Sequence, residues 1–398
     1  MPQSDPVASI GFIDDAHTFG GTQIALARAI AALLAGSPLN IVCVCPKATE
    51  KAIVKITGRH ERLRFVGCPA ALPLNIAWFP LRIARFHSIL RRLVRQGINE
   101  WWLNLAGIEF GLAPLLALRR LGIKPTAWLH NPSSFTSYSA RASWLRRGLS
   151  RLRDAAAERW VFPLHTRLLL PSRAAEESLR ARVRGGVEIA TGHLYPALAE
   201  LTEWMPASAR GDGELRMWMI GRIDFAPKNN LAALRVLRNL LREGVRARLM
   251  VVGEGQDAGC FAMAARVLGV HEHVEMLGWM GDPWQQVSFD DVVLVPSVLE
   301  GMPLVALEAM QRGLRLVVTP IAPFREACPK EVVAEGMEDG ALAAKVREVA
   351  LLEHGALVKL YRERLERFSQ LAFVRNFAAL LPPELNAQTW ARAEGWAE

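Results

Sequence analysis

The sequence predicts an α/β protein of two doubly wound, parallel-sheet domains. Along its 398 residues, short apolar runs of strand length alternate with longer stretches of helical periodicity, the mark of parallel strands joined by crossover helices. The series runs twice, interrupted at about 203–213 by a stretch of Pro, Ser, Gly and charge that reads as a linker. The composition, 51% hydrophobic and 22% charged, supplies enough apolar surface for large cores and excludes disorder as the dominant state.

The first series opens at residues 8–14 (Ala-Ser-Ile-Gly-Phe-Ile-Asp), a short buried strand. It runs into Gly20-Gly21 and a helix with apolar residues at Ile24, Ala27, Ile30, Ala31 and Leu34. Strands at Ile41–Cys45, Trp101–Leu105, Pro125–Leu129 and Thr166–Pro171 follow, with helical patterns between them. After the linker the strands are Leu215–Ile220, Arg248–Gly253, His273–Leu277, Val292–Pro296 and Arg315–Thr319. Residues 355–382 form an amphipathic helical tail. These readings divide the chain at 1–205, 206–374 and a tail of 375–398 that packs back on the first domain. Two such sheets on one linker leave a cleft, and ligands of such sheets bind beyond the carboxyl ends of the strands.

Charge is unevenly spread. Residues 1–205 hold 26 Lys and Arg against 14 Asp and Glu, whereas the remainder is slightly acidic, for an overall +9. The asymmetry points to an anionic surface or ligand facing the first half. Five cysteines, without a zinc-type double CxxC, suit a reduced compartment. No apolar run reaches the roughly 18 residues of a spanning helix, and Met1-Pro2-Gln3-Ser4-Asp5 does not read as a secretory signal. The composition suits a cytoplasmic protein.

Two loops carry most of the chemistry. In Pro296-Ser297-Val298-Leu299-Glu300-Gly301-Met302-Pro303-Leu304-Val305-Ala306-Leu307-Glu308, a strand ends, Glu300-Gly301 turns, and Pro303 suits the first position of a helix stopped by Gly313. The amides of Gly301, Met302 and Leu304 would then face a phosphate or a sugar hydroxyl. The same letters also fit a plain strand–turn–helix with one capping and one surface glutamate. In Gly221-Arg222-Ile223-Asp224-Phe225-Ala226-Pro227-Lys228, two cations six residues apart could clamp adjacent phosphates. Each such contact contributes roughly 1.5–3 kcal/mol. A solvated surface loop is the plainer alternative. Gly20-Gly21 lets backbone approach a ligand, and His130 ends a strand before Asn131-Pro132.

Together these pieces resemble the retaining nucleotide-sugar glycosyltransferases of family 4, which have the two-domain, Rossmann-like GT-B fold. The likeness covers most of the chain and is strongest from Leu215 to Glu326. Gly20-Gly21, His130, Gly221-Arg222 with Lys228, and the E-x7-E pair Glu300 and Glu308 occur in family order. Gly253-Glu254-Gly255 stands where the family has a strand-end glycine turn, and the segment Leu277-Gly278-Trp279, with Met280 beside it, where it has residues near the base.

The resemblance implies a hexosyltransferase that moves a sugar from a nucleoside diphosphate to a glycan or lipid-linked acceptor, in bacterial cell-surface polysaccharide or lipopolysaccharide synthesis. Arg222 and Lys228 would neutralise the donor diphosphate in place of a metal, in keeping with a sequence that has no Asp-x-Asp. Glu308 would bind ribose hydroxyls. Glu300, with Gly301, Met302, Pro303, Leu304 and Val305, would hold the sugar, and Gly20, Gly21, Gly253 and Met280 would complete the donor site. His130 would stand near the sugar and acceptor, acting with Glu300, Arg222 and Lys228 in catalysis. No cofactor or metal is implied. Two departures concern details: Ile321-Ala322-Pro323-Phe324-Arg325-Glu326 replaces a glycine-rich turn, and Asn131-Pro132 stands where many members have an acidic residue.

Residues 78–95 and Trp144–Trp160 mix arginines with large apolar side chains at helical spacing. Such faces suit either a solvated surface helix or a helix lying on anionic lipid. With the basic first half, they suggest peripheral attachment to the inner face of the cytoplasmic membrane. Rival readings are a nucleotide-sugar 2-epimerase of the same fold, a basic nucleic-acid-binding protein and a non-catalytic sugar-binding relic. No helix-turn-helix, zinc or RNA-stacking signature supports the second, so no nucleic-acid partner is expected.

Overall fold

The structure, a computed structural model, describes residues 8–16, 20–69, 78–108, 110–131, 144–183, 186–191, 194 and 213–390. The expected linker at 203–213 lies, save for Gly213, outside them. They form two compact units: the first takes the described residues up to Leu194 and again from Phe368, the second those from 213 to 367.

The first unit is a parallel sheet of seven strands: β1 (Ser9–Ile13), β2 (Asn40–Cys45), β3 (Leu63–Gly67), β4 (Glu100–Leu105), β5 (Thr126–Leu129), β6 (Arg167–Leu169) and β7 (Glu188–Ala190). Their spatial order is β3-β2-β1-β4-β5-β6-β7. The order reverses between β1 and β4, which pair in parallel with Phe12 opposite Trp102. The second unit holds β8 (Leu215–Ile220), β9 (Ala247–Val252), β10 (Val274–Gly278), β11 (Val292–Val295) and β12 (Arg315–Val318), ordered β10-β9-β8-β11-β12. Its switch lies between β8 and β11. Both sheets are therefore doubly wound, and each presents a crevice at its own switch point.

The interior strands are apolar on both faces because helices cover both. Tandem tryptophans in β4 show how this works. Trp102 enters the core on one face with Phe12, while Trp101 enters the core on the other. The Trp101 ring lies against Gly11 of β1, where a Cβ would collide with it. Edge strands β3 and β7, absent from the sequence reading, are short and only half buried. An arginine within Leu-Arg-Phe-Val-Gly, and a three-residue strand opening on Glu188, give too weak an apolar signal.

The tail expected over 355–382 is not one helix. It is two, His354–Leu365 and Gln370–Ala379, broken where Ser369 Oγ accepts the Ala372 N–H at 3.1 Å. The second belongs to the first unit. It lies on the helix Gly21–Gly36, where Gly36 admits Val374, and it drives Phe373 and Phe377 into the core beside Phe12, Trp102 and Trp128. Phe377 and Trp102 ring centroids are 4.5 Å apart. All five cysteines are free thiols. Among the described residues, no helix is long and apolar enough to cross a membrane.

One buried histidine ties this fold to pH. His165, 3% exposed, has Nδ1 3.2 Å from the Phe162 carbonyl oxygen, and burial pushes its pKa down to about 4. The unfolded chain takes up a proton near the ordinary 6.5, which the folded chain refuses until about 4. Its contribution is therefore complete above pH 6.5 and lost as the pH falls towards 4. His165→Asn, which keeps an N–H donor, is expected to flatten the fall of Tm over that window relative to wild type. Parallel Tm–pH curves would contradict the assignment.

Candidate functional site

Each switch point gathers one cluster of polar side chains. In the second unit, β8 ends at Ile220 and Gly221 turns the chain at φ 135°. A short helix, Phe225–Lys228, follows, and Asn229 closes it in the left-handed region at φ 49°. Asn229 Nδ2 donates to the Pro296 carbonyl at 3.2 Å, and the Pro227 carbonyl accepts from the Val298 and Leu299 amides at 2.9 and 3.2 Å. These bonds stitch the loop after β8 to the loop after β11.

The stitching brings together Lys228 and Glu300, which come from separate motifs 72 residues apart in sequence. Lys228 Nζ lies 2.7 Å from Glu300 Oε1, and the Glu300 side chain is only 11% exposed. Arg222, on the same loop, is half exposed and reaches Asp224 at 3.5 Å. Two cations, each paired with a shielded carboxylate, thus stand at one strand-end crevice, a place suited to a phosphate beside hydroxyl groups.

The loop after Glu300 differs from expectation in one detail. Pro303 caps the helix Leu304–Gln311 and is not its first residue, with φ −82° and ψ 84°. The chain turns just before the helix, and the Leu304 amide donates back to the Met302 carbonyl at 3.0 Å. Leu304 is therefore spent internally, whereas Gly301 and Met302 belong to the turn itself. Val305 and Glu308 lie on the helix, both half buried. The helix stops before Gly313, which takes φ 65°.

Gly253 has a structural reason as well. It ends β9 at φ 133°, its amide donates to the Gly278 carbonyl at 2.7 Å, and a Cβ there would strike the Gly221 carbonyl oxygen. Gly255 meets the Ile223 carbonyl in the same way. The glycine turn therefore lets two loop backbones touch. Gly253→Ala should cost roughly 1–3 kcal/mol in backbone conformation alone, with the clash added. A Tm within a degree of wild type would refute this. Met280, partly buried, follows β10 in the neighbouring loop.

In the first unit, β1 ends in Asp14 and Asp15, both almost fully buried. Asp14 Oδ2 accepts from Asn104 Nδ2 at 2.6 Å and Gln23 Nε2 at 2.9 Å, while Oδ1 accepts the Ala16 amide at 3.0 Å. Gln23 Oε1 in turn accepts the Gly20 amide at 3.0 Å, and Asn104 Oδ1 lies 3.0 Å from His130 Nε2. Gly20 caps the helix that opens at Gly21. Asp15 accepts from Arg82 at 3.1 Å and from the Gly111 amide at 3.1 Å. Burial raises both carboxyls, Asp15 to about 6 despite Arg82, and pushes the His130 imidazolium down to about 3.

The structure thus links Gly20 and His130, read separately in the sequence, through Gln23, Asp14 and Asn104. The sequence reading missed these three. A signal was present: Asn104 interrupts the apolar run Trp-Trp-Leu-Asn-Leu, and paired acids end an apolar strand. A polar side chain in a buried strand needs a partner. Pro132 lies outside the described residues. Among the described residues, no group of three His, Cys, Asp or Glu is placed to hold a metal ion.

Residues 214–354 match the family model of glycosyl transferases group 1. The chain is 25% identical over 171 residues to a lipopolysaccharide 1,6-galactosyltransferase of Salmonella typhimurium, covering 40% of this chain and 46% of that one. The chain spans less than half the length of the curated relatives it matches. Among solved structures, it is similar to the apo form of the lipopolysaccharide outer core galactosyltransferase WaaB, at TM-score 0.63 and 18% identity over 93% of this chain and 98% of that one. It is also similar to Anabaena HepE in complex with UDP and glucose, at TM-score 0.69 and 13% identity over 94% and 98%. At these identities the likeness is one of fold, and the fold is GT-B.

Proposed function

Because its residues 214–354 match the glycosyl transferases group 1 family, we propose that this chain moves a hexose from a nucleoside-diphosphate sugar to a glycan or lipid-linked acceptor. The setting is bacterial cell-surface polysaccharide or lipopolysaccharide synthesis, in keeping with the galactosyltransferases among its relatives. The observation that carries this reading is the Lys228–Glu300 pair beside Arg222 at the switch point of the second sheet.

Departure of the diphosphate builds negative charge on the leaving oxygen. Arg222 and Lys228 stabilise that charge as it grows, a task otherwise given to a divalent metal. Glu300 anchors the Lys228 ammonium and accepts hydrogen bonds from sugar hydroxyls through its other oxygen. Gly301 and Met302 line the same turn, and Glu308 binds the ribose. Gly20, Gly21 and His130 belong to the substrate side of the first unit. Transfer proceeds with retention, with no metal and no cofactor.

Purified protein should be screened by thermal shift against UDP, GDP, ADP, dTDP and CMP, with and without magnesium, then as Arg222→Ala. UDP leads because HepE holds it. The expected result is stabilisation by one diphosphate, independent of metal and lost in the variant. Stabilisation by none would sink the reading.

The protein works in the cytoplasm, bound to the inner membrane face. The helix Trp144–Ala156 and the π-helical turn Ala157–Val161 that continues it support this: Trp144 is 79% exposed, and Leu145, Leu149, Leu152 and Trp160 are also exposed large apolar side chains. The exposed Arg151, Arg153 and Arg159 flank them. Near an anionic surface each arginine contributes about 1 kcal/mol. Co-sedimentation with phosphatidylglycerol vesicles at low salt is expected, and should weaken in Leu149→Ser/Leu152→Ser. Equal binding to phosphatidylcholine, or none to either, would contradict it.

A further inference from the structure

One buried carboxylate in the first unit reaches, through two side-chain amides, both Gly20 and His130 on the substrate side. Burial raises the Asp14 carboxyl, but the three hydrogen bonds from Asn104, Ala16 and Gln23 pull it back down and favour the carboxylate. A carboxylate can only accept, so the side-chain amides of Asn104 and Gln23 both turn their NH2 groups towards it. That choice fixes their oxygens. Gln23 Oε1 is left facing the Gly20 N–H, and Asn104 Oδ1 is left facing His130 Nε2. An oxygen at 3.0 Å requires Nε2 to carry the hydrogen, which makes Nδ1 the lone-pair nitrogen of a neutral ring.

We propose that Asp14 is a positioning residue for sugar transfer, setting the Gly20 turn through Gln23 and the tautomer and orientation of His130 through Asn104. The proposal rests on the transferase reading and adds residues that this reading does not contain. Burial, which keeps the His130 ring neutral, acts in the same direction. A carboxylate is required because an amide at position 14 would offer one donor and one acceptor, and so would no longer specify which way Asn104 and Gln23 turn. The arms separate: Gln23 acts on the glycine turn, whose Gly20 amide it holds, and Asn104 acts on the His130 ring.

The first test needs no activity. In protein carrying 15N-histidine, the His130 ring signals, assigned by their loss in His130→Gln, should show a protonated Nε2 and an unprotonated Nδ1. That pattern should be lost in Asn104→Leu and mixed in the near-isosteric Asp14→Asn. A protonated Nδ1 in wild type, or an unchanged pattern in Asn104→Leu, overturns the proposal. The second test is kinetic. Asn104→Leu should lower kcat by about tenfold, in the range usual for groups that orient a functional side chain, and should cost nothing further when added to His130→Gln. The loss in Gln23→Leu should fall on donor KM. Additive losses of kcat in the double variant, or losses in all three that merely track Tm, overturn it. If wild type uses no nucleoside-diphosphate sugar, the transferase reading fails and the ring-nitrogen result still decides whether Asp14 sets His130.

Discussion

Lys228→Ala is expected to lower turnover by about 10²–10³-fold, with a much smaller rise in donor KM. The Lys228 ammonium, on a side chain 30% exposed, is held at 2.7 Å by a carboxylate that is itself 11% exposed, so its charge is already in place. Such a preorganised charge acts most strongly on the charge that develops as the diphosphate leaves, more than on the donor at rest. Glu308→Ala should show the converse, a raised donor KM with the smaller loss in kcat, since ribose contacts are the same before and during transfer. Steady-state kinetics with the donor identified by thermal shift would separate the two. Equal effects of both variants on affinity alone would contradict the assigned roles. Removing Lys228 also leaves Glu300 shielded without its partner, so Glu300→Gln in the Lys228→Ala background should recover Tm without recovering turnover.

Phe377→Ala is expected to have the largest effect on stability, about 3–5 kcal/mol. Phe377 is 1% exposed, its ring centroid is 4.5 Å from Trp102 and 6.1 Å from Phe12, and Phe373 stacks on it at 5.9 Å. These partners sit on strands and a helix that cannot collapse far into the vacated space. Chemical denaturation followed by tryptophan fluorescence would report it, because Trp102 loses its neighbour. A cost under about 1 kcal/mol would mean that the helix Gln370–Ala379 is not part of the first core.

The sequence was most readable where burial is two-sided. Every interior strand of both sheets announces itself as an apolar run, because helices cover both faces. The β8 and β11 loops could be read too, since glycine, proline and charge are concentrated there. Edge strands β3 and β7 were not, because a half-solvated strand tolerates Arg64 and Glu188. The tail was seen as helical but not as broken, as only Ser369 marks the break. Least visible was the Asp14 cluster. Its members, Asp14, Gln23, Asn104 and His130, lie on four different elements, and only the parallel order β1-β4-β5 makes them neighbours. The link between Lys228 and Glu300 was hidden for the same reason, since their loops meet only through the β8–β11 adjacency.

The return of the helix Gln370–Ala379 to the first core bears on how the protein is made. Residues 200–367 are synthesised between the first unit's sheet and the side chains that finish its core. At about 5–20 residues per second, that interval is roughly 10–30 s. Through it, the apolar flank of Phe12, Trp102 and Trp128 waits uncovered, while the second unit, whose described residues 213–367 are continuous in sequence, is completed and can fold. The part of the chain that leaves the ribosome first is therefore the part that closes last, and it is the nascent first unit, with its open aromatic face, that a holding chaperone should recognise.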